Sequence, residues 1–319
     1  MKRRDFVIKT TCGGAALSLL GLHACKKSEK KEAPSNQEAS SSNPLFFKLS
    51  LAQWSLHNAL FGNEMNHLDF AAKSRSFGLE GLEYVNSFFK DKAKDMSFLK
   101  EMNLRADSEG QQNVLIMIDG EGSLANSDET HRLKAIENHY KWVEAAQFLG
   151  CHAIRVNLAG GVDKNEAAKV SVDSLNRLSD FAKEANINVL VENHGGFSSN
   201  GKWMVDVFSK VANKNCGTLP DFGNFCITKN EDGSCVDEYD RYQGIKELLP
   251  YAKAVSAKSY DFNEKGEDKI IDYRKMMQMV KDSGYRGFVG IEYEGKVVPE
   301  AKGIELTRDL LVRIGKQLS

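Results

Sequence analysis

From Pro44 onward the chain alternates short runs rich in β-branched and other apolar residues with longer stretches whose apolar positions recur at helical spacing. The strand-like runs fall at 48–56, 81–85, 114–118, 153–157, 189–192, 217–221, 254–258 and 287–292. Helical spacing marks 131–149, 166–185, 241–252, 273–283 and 304–316. Gly or Asn punctuates the helix-to-strand steps, as in Phe148-Leu149-Gly150, Asn213-Lys214-Asn215 and Ser283-Gly284-Tyr285, where a left-handed residue is needed to stop a helix. Alternating β and α units predict a parallel sheet. Eight of them over roughly 270 residues fit a single closed (β/α)8 barrel. An open doubly wound sheet is the alternative, and it is weakened because no Gly-rich phosphate-binding turn follows the first run.

The pattern changes before residue 45. Arg3-Arg4-Asp5-Phe6-Val7 sets a twin arginine ahead of the apolar run 15–22, which is too short to span a bilayer as a helix. The run closes in Leu22-His23-Ala24-Cys25, which resembles a lipobox. Residues 1–25 are therefore expected to be a twin-arginine lipoprotein signal, with lipidation at Cys25 and a lipid-anchored, periplasmic or envelope-facing product. That export route carries folded proteins, often ones already loaded with a cofactor. Residues 26–44, rich in Lys, Glu, Ser and Asn, cannot repay the entropy of ordering and are expected to be a disordered linker. The folded domain is 45–319. The whole chain, 41% hydrophobic with a net charge of -1, has enough apolar residues for a core and gives no basic excess for nucleic acid.

Cysteine spacing adds little. Cys151, Cys216, Cys226 and Cys235 show no CxxC pair, which disfavours zinc. Cys226 and Cys235 flank a short polar loop and could pair in an oxidising compartment; isolated buried thiols are the slightly favoured expectation.

Period two along the strands carries the chemistry. Ile154 and Val156 oppose Arg155 and Asn157; Val189 and Val191 oppose Leu190 and Glu192; Val255 and Ala257 oppose Ser256 and Lys258; Val289 and Ile291 oppose Gly290 and Glu292. Asp221 shares a face with Leu219. The apolar faces suit an outer helix layer, and the polar members come late in their strands. Barrel interiors are normally filled with branched apolar side chains. Polar groups converging from several strand ends therefore mark a site. Glu192, Asp221 and Glu292, brought together, would repel unless protonated or neutralised. A divalent cation with hard oxygen ligands solves this, and ion pairing with Arg155 and Lys258 is the competing solution.

Val191-Glu192-Asn193-His194, Leu219-Pro220-Asp221-Phe222-Gly223-Asn224, Val255-Ser256-Ala257-Lys258 and Gly290-Ile291-Glu292-Tyr293-Glu294-Gly295 resemble the xylose-isomerase-like family of sugar phosphate isomerases and epimerases. Gly81-Leu82-Glu83 and Ile154-Arg155-Val156-Asn157 match as well. The resemblance runs in order through the whole domain. It implies a metal (Mn, Mg or Co) held by Glu192, Asp221 and Glu292, with Ser256 standing where the family has a histidine. Serine is a poor ligand, so water, Asn224 or His194 could complete the shell, and Glu294 is the reserve ligand. The resemblance also implies substrate contacts from His194, Lys258, Arg155, Asn157, Asn224, Glu83 and Trp54, the last with His57 at the end of the first strand. Lys258 could equally be a structural ion pair, and Trp54 could equally be a core or rim residue.

The implied activity is isomerisation or epimerisation of a sugar or keto-sugar. Glu192 and Glu292 exchange a carbon-bound proton through an enediolate while the metal chelates a hydroxy-ketone. Rival readings are a lyase acting on a 3-keto glycoside and a non-catalytic sugar-binding lipoprotein. The histidine-rich three-metal site of the family's nucleases has no counterpart among seven scattered histidines. The partners implied are a small sugar and, through the lipid alone, a membrane; whether the chain acts alone or as a homo-oligomer stays open.

Lipidation has a direct test. Cys25→Ala should release the protein from the membrane fraction or block its processing; unchanged fractionation and unchanged mass would refute the assignment.

Overall fold

The computed structural model describes residues 44–319; the twin-arginine motif, Cys25 and all of the expected linker but Pro44 lie outside the described residues. The strands are β1 Lys48–Ala52, β2 Gly81–Val85, β3 Gln112–Met117, β4 Ala153–Val156, β5 Asn188–Glu192, β6 Cys216–Leu219, β7 Cys226–Lys229, β8 Cys235–Glu238, β9 Val255–Ser259 and β10 Phe288–Tyr293. The α-helices are α1 His57–Phe61, α2 Phe70–Ser76, α3 Met96–Ser108, α4 Glu129–Leu149, α5 Lys164–Glu184, α6 Gly201–Phe208, α7 Arg241–Leu248, α8 Tyr273–Asp282 and α9 Glu300–Leu318.

Eight strands pair in parallel in the order β6-β5-β4-β3-β2-β1-β10-β9. Neighbours in sequence are neighbours in space, which a doubly wound sheet does not allow. The ends of that order meet. Thr218 bridges Ala252 and Asp221 bridges Ser256, both parallel, so the sheet closes on itself as the expected (β/α)8 barrel. The closure is thin in backbone hydrogen bonds, and it lies beside the polar strand ends. The remaining pair, β7 and β8, forms an antiparallel hairpin inserted between β6 and α7. Its Cys226 and Cys235 are disulfide-bonded and at the surface, correcting the expectation of isolated buried thiols. That expectation holds for Cys151 and Cys216, which are buried and free.

Period two sorts the core into two layers. Outward members such as Leu51, Leu82, Ile154, Val191, Ala257 and Ile291 join the large cluster beneath the helices. Inward members Ala52, Leu115, Ala153, Leu190, Leu219 and Phe288 form a second cluster inside the barrel. Five helices start on an aspartate that accepts a backbone N–H of the first turn: Asp95, Asp128, Asp163, Asp240 and Asp272. Helix α4 ends on Gly150 at φ 74°, the left-handed stop expected from the sequence.

The first run is shorter than its composition suggests. β1 stops at Ala52, and residues 53–56 turn into a 3-10 helix. That turn is stitched to the last strand. The Ser55 hydroxyl donates to the Ile291 carbonyl at 3.0 Å and accepts from the Tyr293 N–H at 2.9 Å, holding the backbone on both sides of Glu292. Among the described residues no helix is long and apolar enough to cross a membrane.

Ser55→Ala removes both bonds and leaves a buried N–H and C=O unpaired. It should lower stability by about 2 kcal/mol, measured by urea unfolding with an unchanged slope; an unchanged midpoint would show the stitch to be dispensable.

Candidate functional site

Every strand end that the period-two reading picked out points into the barrel mouth. Glu83, Arg155, Glu192, Asp221, Ser256, Lys258 and Glu292 are all at most 4% exposed. One ligand oxygen each from Glu192, Asp221 and Glu292 lies within 4.8 Å of the others. These come from β5, the end of β6 and β10, so the closed sheet creates the cluster.

Local geometry fixes each carboxylate. Asn193 donates from Nδ2 to the Asp221 carbonyl at 2.9 Å and accepts from the Asp221 N–H at 2.8 Å. Asp221 Oδ1 accepts from the N–H groups of Gly223 and Asn224 at 2.8 and 2.9 Å, which aims Oδ2 inward. Ser256 Oγ lies 2.6 Å from Asp221 Oδ2 and 3.0 Å from Glu292 Oε2. Glu292 Oε1 accepts from Lys258 Nζ at 2.7 Å, and Lys258 also reaches Glu294 Oε1 at 3.0 Å and Asp221 Oδ2 at 3.8 Å. Glu192 Oε1 accepts from Asn224 Nδ2 at 3.0 Å. Its Oε2 sits 2.9 Å from Arg155 Nε, yet neither atom has an aligned hydrogen-bond partner.

Charge does not balance in this chamber. Glu83, Glu192, Asp221 and Glu292 supply four buried carboxylates, and Arg155 and Lys258 supply two buried cations. Fully ionised, the set carries -2, which burial makes costly. Burial pushes Glu192 and Asp221 well above the usual carboxylate range, against the pull of Arg155 and Lys258 respectively. Burial also acts on Glu292, but Lys258, through charge and hydrogen bond, holds it low. Burial raises Glu83 to about 8, opposed by the Ser50 hydroxyl at 2.5 Å. Burial alone would lower Lys258; Glu292, Asp221 and Glu294 outweigh it and hold it well above its ordinary value.

The serine makes the imbalance explicit. A hydroxyl has one proton and cannot donate to two carboxylates at once. One of the two contacts needs a carboxyl proton, or a cation in its place. Three hard oxygen donors in a chamber with more carboxylates than cations fit a divalent metal ion; the buried triad could hold one.

The other expected residues divide into two groups. Arg155 is buried and spans Asp119 Oδ1 at 2.7 Å and Glu192, and Asn157 donates to the same Asp119 oxygen at 2.8 Å. Glu83 lies deep, over Gly290, where a Cβ would come within 2.5 Å of both carboxylate oxygens. His194 and Trp54 stand at the rim, His194 exposed and Trp54 half-buried. Partial desolvation, then Arg155 and Lys258, lower the His194 pKa. His194 does not join the acidic cluster, Asn224 meets it through its amide bond to Glu192, and Glu294 stays with Lys258. Sequence reasoning missed Asp119, which anchors Arg155 and is itself clamped by Asn86 through the Asp119 N–H and C=O. It also missed Ser50. Asp119 follows Ile118 just beyond β3, and extending the period-two reading by one strand would have exposed it.

A closed parallel barrel with a buried acidic cluster at the C-terminal ends of its strands defines the class. The chain belongs to the xylose isomerase-like TIM barrel family, whose model matches residues 71–314. No curated protein matches by sequence. Among solved structures, it is similar to the 3-keto-D-glucoside 4-epimerase of E. coli in its apo form, at 15% identity and TM-score 0.62, over 77% of this chain and 94% of that one. The D-psicose 3-epimerase of Clostridium cellulolyticum H10 with D-tagatose matches at 15% identity and TM-score 0.61, over 85% and 96%. The IOLI protein, solved with a zinc atom, matches at 16% identity and TM-score 0.67, over 86% and 99%.

The cluster predicts a response to metal. Millimolar Mn²⁺ should raise the melting temperature by linkage, and replacing Glu192, Asp221 and Glu292 together by Gln should abolish the shift. Ser256→His, which adds an imidazole nitrogen between Asp221 and Glu292, should tighten Mn²⁺ binding; unchanged affinity would mean that position 256 is not a ligand position.

Proposed function

We propose that the protein is a divalent-metal-dependent isomerase or epimerase that moves a proton on a sugar or keto-sugar through an enediolate. The observation that carries this reading is the convergence of Glu192, Asp221 and Glu292 in a buried chamber that holds four carboxylates against two cations. Family membership supports it, as do the keto-glucoside and psicose epimerases among the similar structures.

Glu192, Asp221 and Glu292 would hold the metal, with Ser256 at the fourth position. Bound there, a divalent ion supplies Lewis-acid polarisation of a hydroxy-ketone. The protein's own groups do the rest. Glu192 and Glu292 stand on β5 and β10, separated around the barrel by β6 and β9, so each can address one face of a sugar carbon. Glu192 Oε2, without an aligned donor, is the oxygen we assign to accept the proton. Lys258 is placed to hold a hydroxyl or enediolate oxygen, and Asn224 and Arg155 fix the Glu192 carboxylate while it gains and loses the proton. His194, Asn157 and Trp54 at the rim would bind the outer parts of the sugar.

We also propose that the protein works outside the cytoplasm as a lipid-anchored envelope protein. The Cys226–Cys235 disulfide on an exposed hairpin supports an oxidising compartment. That location suits an unphosphorylated sugar.

The test is solvent exchange. In D₂O with Mn²⁺, a substrate sugar should gain deuterium at one carbon. Glu192→Gln and Glu292→Gln should each slow the exchange about 10²–10⁴-fold. An elimination product would transfer the reading to a lyase, and binding without exchange across a sugar panel would remove the enzymatic reading.

A further inference from the structure

The aromatic residues of the rim continue away from the acidic chamber. Trp54 and Phe88 pack against the inner barrel cluster. Trp54 stacks on His57 at 5.0 Å and 13°, and Phe61 meets Trp54 edge-on at 6.1 Å and Phe88 at 4.9 Å. Phe61 is 58% exposed. From Phe61 and Phe88 a groove of about 620 Å³ runs between the segment after β1 and the segment after β2, both on the mouth side of the barrel.

Its lining mixes aromatic faces with hydrogen-bonding groups. Phe61 and Phe88 form one wall, Asn63, Lys90 and Asp91 stand along it exposed, and His67 lies at its side. His67 Nδ1 contacts Gln53 Nε2 at 2.9 Å. Because an amide nitrogen only donates, Nδ1 is the acceptor and the ring proton sits on Nε2, which has no partner. Burial holds this ring neutral, with its pKa lowered to about 3. The wall is also braced. Glu300, at the start of α9, accepts the N–H groups of Asn58 and Ala59 at 2.7 and 3.2 Å, and His57 Nδ1 lies 2.7 Å from the Trp54 carbonyl. An exposed aromatic pair on a braced turn, flanked by amide, carboxylate and ammonium groups, has the chemistry that grips a pyranose: ring faces for the C–H side and polar groups for the hydroxyls.

We propose that this groove is a second sugar subsite and that the substrate is a glycoside of at least two rings. The reacting ring enters the acidic chamber and its neighbour stacks on Phe61 and Phe88. The inference rests on the sugar reading above but concerns substrate length, so binding and chemistry can fail separately. Placement supports it: Trp54, two residues past the end of β1, packs against the inner apolar cluster on one side and meets Phe61 of the groove wall on the other.

Trp54 provides the readout. The other tryptophans, Trp142 and Trp203, are 0% and 3% exposed. Tryptophan fluorescence of the full chain with Mn²⁺ is titrated with glucose and with cellobiose, maltose, lactose and sucrose. At least one disaccharide should bind fivefold or more tightly than glucose. Phe61→Ala, a surface change with little risk to folding, should erase that advantage and leave the glucose titration unchanged. The proposal is overturned if no disaccharide exceeds glucose, or if Phe61→Ala leaves the advantage intact or weakens both sugars equally. Disaccharide preference without solvent exchange would keep the subsite and reject the catalytic reading; exchange without that preference would do the reverse.

Discussion

An excess of buried carboxylates over buried cations organises the centre of this molecule. Four carboxylates and two cations are buried together where a barrel would normally hold branched aliphatic side chains. Burying charge is costly unless it is paired and hydrogen-bonded, so the surrounding structure is devoted to pairing. Asp119 and Asn86 hold Arg155, Arg155 and Asn224 hold Glu192, Asn193 holds the Asp221 backbone, and Glu294 shares Lys258 with Glu292. The pairing is thorough and still incomplete: Glu192 Oε2, Glu83 Oε2 and Arg155 Nε remain without aligned partners.

Barrel closure and site are the same feature seen twice. β6 and β9 meet through only two isolated bridges, and one of them joins Asp221 to Ser256. The Phe222 N–H reaches the Ser256 carbonyl at 3.1 Å, and the Ser256 N–H reaches the Pro220 carbonyl at 2.9 Å. Asp221 therefore lies just past the end of its strand, where its backbone seals the sheet and its Oδ2 enters the chamber. Two strands on from that seam, Ser55, just after β1, is stitched to β10 around Glu292. Asp221 is thus positioned by the contacts that hold the barrel shut, and Glu292 by the stitch between the first turn and the last strand.

Much of this was legible in the sequence, for a simple reason. Strands that alternate faces declare their inward residues by period two, and Glu192, Asp221, Ser256, Lys258 and Glu292 all fell on the inward side. Less was legible where the period is short or broken. Helices α1, α2 and α6 are five to eight residues long, too brief for a helical repeat to stand out. The β7–β8 hairpin is largely exposed and carries no apolar alternation. β1 was overextended because Gln53 and Trp54 continue its composition, while the turn there is fixed by tertiary bonds: Gln53 Oε1 accepts from the Val85 N–H at 3.0 Å, and Ser55 reaches β10. Asp119 lies two residues past the end of β3, in step with its inward face, but its role depends on Arg155, 36 residues away.

The entry of the chain into the barrel has a topographic consequence. Leu45 and Phe47 lie against α9 at Gly315, where even a Cβ would come within 2.7 and 2.9 Å of them. Helix α9 returns from the mouth, so its last turn and the start of β1 both belong to the floor of the barrel. The described chain therefore enters the domain at its floor, and the carboxylates stand at the opposite pole, a full strand length from the point of entry.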